Sequence, residues 1–306
     1  MAFMRQAVLT VADNRVVSGF FRKNRLAKGL VERFVAGESL EEGLAAARDL
    51  ERRGIVTTLD QLGENVSTIA EASAAVASYQ TILRQMTEAG LETNISVKLT
   101  MLGLDLGRDI AEANMVQVLE VAKEVGAFVR IDMEGSAYTA VTMEVFEKLF
   151  AQFPEQVGIV IQTYMHRAEQ DVRRAIELGA RVRLVKGAYS EPATVAVTSR
   201  EANDANYVKL MKLLLEGGTY PAIATHDPNL IAAAQEFVRE KGIAHDRFEF
   251  QMLYGVRTDE QQRLVNAGYR MRVYVPYGTE WYPYFTRRIA ERPANALFVL
   301  RAIRGK

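Results

Sequence analysis

From residue 55 onward the chain repeats one pattern eight times: a short apolar run, a few polar residues, then a longer stretch with helical spacing. The apolar runs lie at 55–59, 94–99, 127–131, 157–161, 181–185, 222–224, 248–253 and 271–275. Helical stretches follow at 67–89, up to 123, and at 138–153, 167–178, 195–215 and 259–267. Another, to 240, is capped by Asp227 or Asn229. Short strands alternating with helices pair in parallel, because each crossover helix returns the chain to the same end of the sheet. Eight such units in 306 residues predict one α/β unit, a (β/α)8 barrel of the TIM type. The alternative is an open doubly wound sheet. No strand is followed by Gly-x-Gly-x-x-Gly, which argues against a Rossmann dinucleotide site.

Residues 1–50 read as helices ahead of the barrel. Positions 26–35 have helical spacing, and Ser39 before Glu41 and Glu42 is a predicted N-cap, with Gly54 ending that helix. The expected organisation is an N-terminal helical segment, 1–50, and a barrel, 51–306, forming one structural unit.

Zero net charge gives no support to a nucleic-acid partner. The chain has no cysteine, so disulfides, thiolate nucleophiles and cysteine-ligated metals are excluded, and a reducing cytoplasm fits. No clean signal sequence opens the chain and no apolar run is long enough to span a bilayer. Peripheral contact with the inner face of the cell membrane stays open. The three histidines, His166, His226 and His245, fall on different elements without ligand spacing, so no metal site is expected. His226 is expected to serve as a hydrogen-bonding group and His245 as a surface residue.

The densest chemistry lies at 274–291, YVPYGTEWYPYFTRRIAE, which holds the single tryptophan, Trp281. Pro276, Gly278 and Thr279 should break the last strand, and Pro283 suits a first helical turn. On that helix Tyr284, Arg287 and Arg288 share a face at i, i+3 and i+4, and Arg287 is also spaced to pair with Glu291. Paired guanidiniums beside aromatic rings suit a small ligand with an anionic end and an apolar body. An amphipathic helix with solvated arginines is the plainer reading. In a barrel the functional mouth lies at the C-terminal strand ends. Those ends carry Asp60, Glu64, Lys98, Asp132, Glu134, Gln162, Arg183, Lys186, Thr225, His226, Gln251, Tyr254 and Tyr274. Lys98 and Lys186 read as anion-binding cations, or as Schiff-base lysines of an aldolase. A non-catalytic barrel binding small carboxylates is a further alternative. Asp13, Asp105, Glu191 and Asp204 read as solvated.

These strand ends resemble the proline dehydrogenase family in its short monofunctional bacterial form. The resemblance rests on RIDME (130–134), IQTYMHR (161–167), RVRLVKGAYSEP (181–192), ATHDP (224–228), FQMLYGVR (250–257) and YVPYGTEWYPYFTRR (274–288), with SVKL (96–99) adding the second unit. It implies a distorted barrel with FAD and an extra C-terminal helix over the mouth. It also implies oxidation of L-proline to Δ1-pyrroline-5-carboxylate, with electrons passed to a membrane quinone. A separate pyrroline-5-carboxylate dehydrogenase would be a further partner. By this resemblance Arg287, Arg288 and Lys98 bind the proline carboxylate, and Tyr274 and Tyr284 pack around its ring. Asp132 and Arg183 match catalytic positions. Met133, Gln162, Arg183, Lys186, Gly187, Ala188, Thr225 and His226 match flavin contacts. Glu64 matches the acid that pairs with Arg287 to close the site. Bottom-up, Asp132 is expected to orient Lys98 by an ion pair, and Gly187 to let the backbone approach the cofactor closely.

Overall fold

The computed structural model describes Gly29 and residues 31–290, apart from the side chains of Arg287, Ile289 and Ala290. Residues 26–28 and 30 of the helix expected at 26–35 lie outside the described residues, as do Asp13 and Glu291. Eight parallel strands close into a barrel in chain order. They are β1 (Val56–Gln61), β2 (Asn94–Val97), β3 (Phe128–Ile131), β4 (Val157–Gln162), β5 (Val182–Val185), β6 (Ala222–Ala224), β7 (Glu249–Leu253) and β8 (Met271–Tyr277). The barrel expectation is met. Closure joins β8 to β1, with Thr58 opposite Tyr274 and Asp60 opposite Pro276.

Pro276 therefore does not break the last strand, which runs on to Tyr277. A proline lacks only the donor, and the Pro276 carbonyl still accepts from the Ala36 N–H at 2.8 Å.

Helices α2 (Ile69–Glu88), α3 (Arg108–Val125), α4 (Ser136–Phe150), α5 (Ala168–Leu178), α6 (Arg200–Gly217), α7 (Pro228–Lys241) and α8 (Thr258–Asn266) follow β1 to β7. Polar caps set where several begin. Thr68 and Glu71 form a capping box on α2, Asp227 caps α7 by accepting from the Asn229 N–H, and Ser199 caps α6. α6 starts later than the spacing suggests, because 192–199 make a turn that bridges Ala196 to Met165 before Ser199 starts the helix.

Two helices lie outside this alternation. α1 (Leu40–Arg52), capped by Ser39 with Glu42 as expected, buries Gly43, Leu44, Ala47 and Leu50. It packs on β1 and β8, so an element that precedes the first strand covers the seam between first and last. The position after residue 50 falls inside this helix. α9 (Trp281–Ala290) lies at the mouth, where Pro283, Tyr284 and Arg288 line the central cavity. Trp281, Tyr284 and Phe285 pack in a separate apolar cluster with Val31, Phe34, Val35, Leu62 and Val256. Trp281 Nε1 donates to Glu38 at 3.1 Å, tying α9 to the segment before α1. The same segment crosses Gly255, whose φ of +67° and contact with the Arg33 carbonyl leave no space for a side chain.

The strand residues that face the barrel axis are unusually polar. TIM-type interiors are ordinarily filled by branched apolar side chains. Here Thr58, Asn94, Ser96, Lys98, Arg130, Asp132, Arg183, Glu249, Gln251 and Arg272 are linked by hydrogen bonds or buried among them. The apolar core lies instead between strands and helices.

Candidate active site

The mouth opens into one cavity of about 1350 Å³. Its lining includes Asp60, Glu64, Lys98, Asp132, Met133, Gln162, Arg183, Lys186, Gly187, Ala188, Thr225, His226, Gln251, Tyr274, Tyr284 and Arg288. Residues from strand ends and from α9 thus converge, although they are spread over most of the sequence. Glu134 and Tyr254 do not line it. Glu134 turns back to accept from the Thr100 backbone N–H at 3.2 Å and the Thr100 hydroxyl at 2.6 Å, bracing the loop after β2.

Asp132 is the hub. Its Oδ1 accepts from Arg183 Nη1 at 2.8 Å and its Oδ2 from the Tyr274 hydroxyl at 2.8 Å. Arg183 also stacks over the Tyr274 ring, 5.2 Å from its centroid. Burial, and after it the Asp132 carboxylate, raise the Tyr274 hydroxyl well above the ordinary tyrosine range, so it remains a donor.

Lys98 meets Asp60 at 3.1 Å and Asp132 at 3.8 Å. The expected pair with Asp132 is therefore the longer of two, and Asp60 is the principal partner. Its place at the end of β1, opposite Ser96 of β2, explains the preference. Burial works against charge on Lys98, but the two carboxylates outweigh it and hold its pKa above the ordinary lysine range. A Schiff-base lysine needs the opposite shift.

A second charged group lies at the rim. Lys186 pairs with Asp204 at 2.5 Å and with Asp227 at 3.1 Å. Arg200, which also lines the cavity, reaches the same two acids at 3.6 and 3.3 Å. Asp204 is thus not merely solvated; its i, i+4 spacing from Arg200 was the available signal. Nor are Asp105 and Glu191. Asp105 accepts from Tyr138 and Asn65 at 2.8 and 2.9 Å, and Glu191 caps α4 from a distance by accepting from the Ser136 N–H at 2.7 Å.

His226 hydrogen bonds as expected: its Nε2 accepts from the Leu253 N–H at 2.9 Å. His245 is exposed and stacks on Tyr269. Gly187 has φ +103° and lies against the Tyr164 ring, which an added Cβ would strike. Its requirement for glycine is met within the protein, before any ligand is considered.

Three buried polar atoms on the cavity wall make no hydrogen bond: Asp60 Oδ2, Gln162 Oε1 and Arg183 Nη2. The other end of Gln162 is fixed, since its Nε2 donates to the Met133 carbonyl at 3.2 Å. Buried polar atoms are rarely left unpaired, so these three make the wall a candidate for hydrogen bonding to a ligand. Arg288 lies over the Tyr284 ring at 5.3 Å. The Arg287 side chain lies outside the described residues, so its expected pairing with Glu64 does too.

The sequence model of the family described as proline dehydrogenase matches residues 43–301. The chain belongs to the proline dehydrogenase family. Proline dehydrogenase 1 of Bacillus subtilis (strain 168) is 41% identical over 303 residues, covering 99% of this chain and 100% of the relative. The proline dehydrogenase of Deinococcus radiodurans is 42% identical over 303 residues, covering 98% of this chain and 97% of the relative. Among solved structures, proline utilization A (PutA) from Bdellovibrio bacteriovorus, inactivated by N-propargylglycine, superposes with a TM-score of 0.82 at 29% identity. That match covers 90% of this chain and 34% of the longer protein, so this chain spans about a third of it. With family membership comes proline dehydrogenase activity, an oxidoreductase reaction that is the first step of proline catabolism. Among the described residues of this proline dehydrogenase family member, no helix is long and apolar enough to cross a membrane.

Proposed function

We propose that the cavity holds FAD beside L-proline, and that the chain oxidises proline to Δ1-pyrroline-5-carboxylate and passes the electrons to a quinone. The observation that carries this is the joint lining of one cavity by two cations with aromatic neighbours, Lys98 and Arg288, and by unpartnered buried polar atoms that include Gln162 Oε1 and Arg183 Nη2. The volume exceeds the roughly 300–1,000 Å³ of an ordinary small-molecule pocket, leaving room for a dinucleotide and a small substrate together.

FAD, when bound, supplies the hydride acceptor. The chain's own residues bind and aim. Lys98, Arg288 and Arg287 hold the proline carboxylate, with Tyr274 and Tyr284 against its apolar ring. Asp132 holds Arg183 and Tyr274 in fixed relation, so the substrate ring and the cationic wall are aligned before binding, which lowers the entropic part of the barrier. Gln162 Oε1 and Arg183 Nη2 fit the cofactor's ring system, as acceptor and cationic donor. Arg183 is suited to stabilise negative charge that develops there on reduction. Met133, Gly187, Ala188, Thr225 and His226 form the rest of that wall, and Lys186 with Arg200, their charge balanced by Asp204 and Asp227, offers N–H donors to a pyrophosphate. Glu64, which lines the cavity, would pair with Arg287 to close it. The product is the substrate of a separate pyrroline-5-carboxylate dehydrogenase. Transfer to a membrane quinone would require contact with the cytoplasmic membrane surface.

An anaerobic absorbance spectrum before and after L-proline tests the reading. Flavin bands that bleach with proline support it. Bands that stay oxidised discard the substrate, and absence of bands after FAD is supplied discards the cofactor.

A further inference from the structure

Arg183 has five N–H groups, all donors. One, on Nε, goes to Gln251 Oε1 at 2.6 Å. The two on Nη1 serve Asp132 at 2.8 Å and the Ser96 hydroxyl at 3.0 Å. Those on Nη2 have no partner. Rotating the guanidinium out of this setting would break three hydrogen bonds at once. Two of the three acceptors, Ser96 and Asp132, come from β2 and the end of β3, on one side of β5. The third, Gln251, comes from β7, two strands away on the other side, and nothing in the proposed reaction accounts for it.

Gln251 is itself held from below. Its Nε2 donates to Glu249 Oε1 at 2.5 Å, and Arg272 Nε donates to the same oxygen at 2.8 Å. Arg272 is anchored on the Thr57 carbonyl at 2.7 Å. All three side chains are buried. An amide can face two ways, but only one suits a carboxylate at one end and a guanidinium at the other. A carboxylate accepts only and a guanidinium donates only, so the Gln251 NH2 must face Glu249 and its carbonyl must face Arg183. Arg272 outweighs the effect of burial and keeps the Glu249 carboxyl down at about 2, so the acceptor end stays ionised. The intervening strand β6 presents Ala222 and Ala224, in register with Arg183 and Gln251 respectively, and these small side chains leave room for the contact from β5 to β7.

We propose that Gln251 and Glu249 are positioning residues for proline oxidation: a one-way amide relay from the closed end of the barrel sets the rotation of Arg183, leaving its two Nη2 N–H groups for the reacting partners. The inference rests on the reading of Arg183 as a group that contacts them. Gln251 acts through Arg183 and Glu249 through Gln251, so their effect falls on turnover more than on proline binding.

The test is a double-mutant cycle on the flavin-loaded protein, with Gln251→Leu, Arg183→Lys and the double variant. The readouts are kcat, KM for proline and the midpoint potential of the bound flavin. Loss of a supporting hydrogen bond behind an active group typically costs 10–100-fold in activity, and Gln251→Leu should lower kcat by about that factor while KM moves by about threefold or less. In the Arg183→Lys background the same change should cost about twofold or less, because the group through which it acts is already displaced. The flavin potential should shift in Gln251→Leu and change little further in the double variant. Equal fold-losses in both backgrounds would overturn the inference, as would a fall in kcat with an unmoved potential. If Gln251→Leu does not fold, Glu249→Gln replaces it in the cycle, since it keeps an acceptor oxygen and removes the charge. Failure of the underlying flavin reading is distinguishable, because it appears in the wild-type protein as missing or unbleached flavin bands.

Discussion

The Tyr274 hydroxyl donates to Asp132 at 2.8 Å, across a separation of 142 residues in the chain, and so ties the last strand to the third. Tyr274→Phe keeps the ring over Arg183 and removes only this bond. A hydrogen bond to a charged group contributes about 1.5–3 kcal/mol, so kcat/KM for proline should fall about 10–100-fold. Flavin content should stay at the wild-type level. Steady-state kinetics with absorbance at the flavin bands reads both, and an unchanged kcat/KM would remove the Asp132–Tyr274 contact from the reaction.

Arg288 lines the cavity from α9. Arg288→Met keeps much of the length and apolar stem, and loses the charge and its donors. The KM for proline should rise by about one to two orders of magnitude, from the same 1.5–3 kcal/mol. FAD occupancy should hardly change. Loss of flavin at constant KM would assign Arg288 to the cofactor instead.

Glu249 governs the acid limb of stability. Its folded pKa of about 2 lies below its ordinary 4.5, because Arg272 outweighs the burial that favours the neutral acid. The unfolded chain therefore binds more protons between these values, and stability falls as pH falls. The full contribution is present above about pH 5 and is lost toward pH 2, amounting to about 3 kcal/mol at most. Tm followed from pH 6 to pH 3 should drop more steeply in the wild type than in Glu249→Gln. The gap between the two should be widest near neutrality, and parallel curves would refute this assignment.

Gly187 should not tolerate alanine. Its φ of +103° is strained for any side chain, and the added Cβ would strike the Tyr164 ring. Strain of this kind costs about 1–3 kcal/mol, so Gly187→Ala should lower Tm by several degrees and weaken flavin retention by shifting the loop after β5. Adding Tyr164→Ala removes the clash and leaves the backbone strain. Partial recovery of Tm in that double variant would separate the two causes.

Local chemistry made much of this legible in advance. The eight apolar runs, the Ser39 cap, the Asp227 cap and the bonding of His226 follow from patterns a few residues long. What escaped depends on register around a closed barrel. Nothing near Lys98 in the chain says that Asp60 lies closer than Asp132; that follows from the pairing of β1 with β2. Gln251 could be placed at the mouth, yet its bond to Arg183 spans 68 residues and crosses β6. Pro276 misled because proline's missing donor was weighed without its carbonyl, which the chain before α1 uses. Gly187 suggested close approach by a ligand, and the tyrosine ring of the same chain that also lies against it could not be read from the sequence.

The helix over the seam has a consequence for how the protein can change. Arg272 and Thr57, which meet at that seam, are 215 residues apart, so barrel closure is the longest-range event in the described chain's strand pairing. Because α1 precedes β1, the piece that seals the cylinder has already been synthesised when the last strand arrives. α9 stands at the mouth instead of in the wall. Substitutions along it would alter the cavity lining without touching the staves, so on the proposed reading closure and selectivity are inherited on separate stretches of one polypeptide.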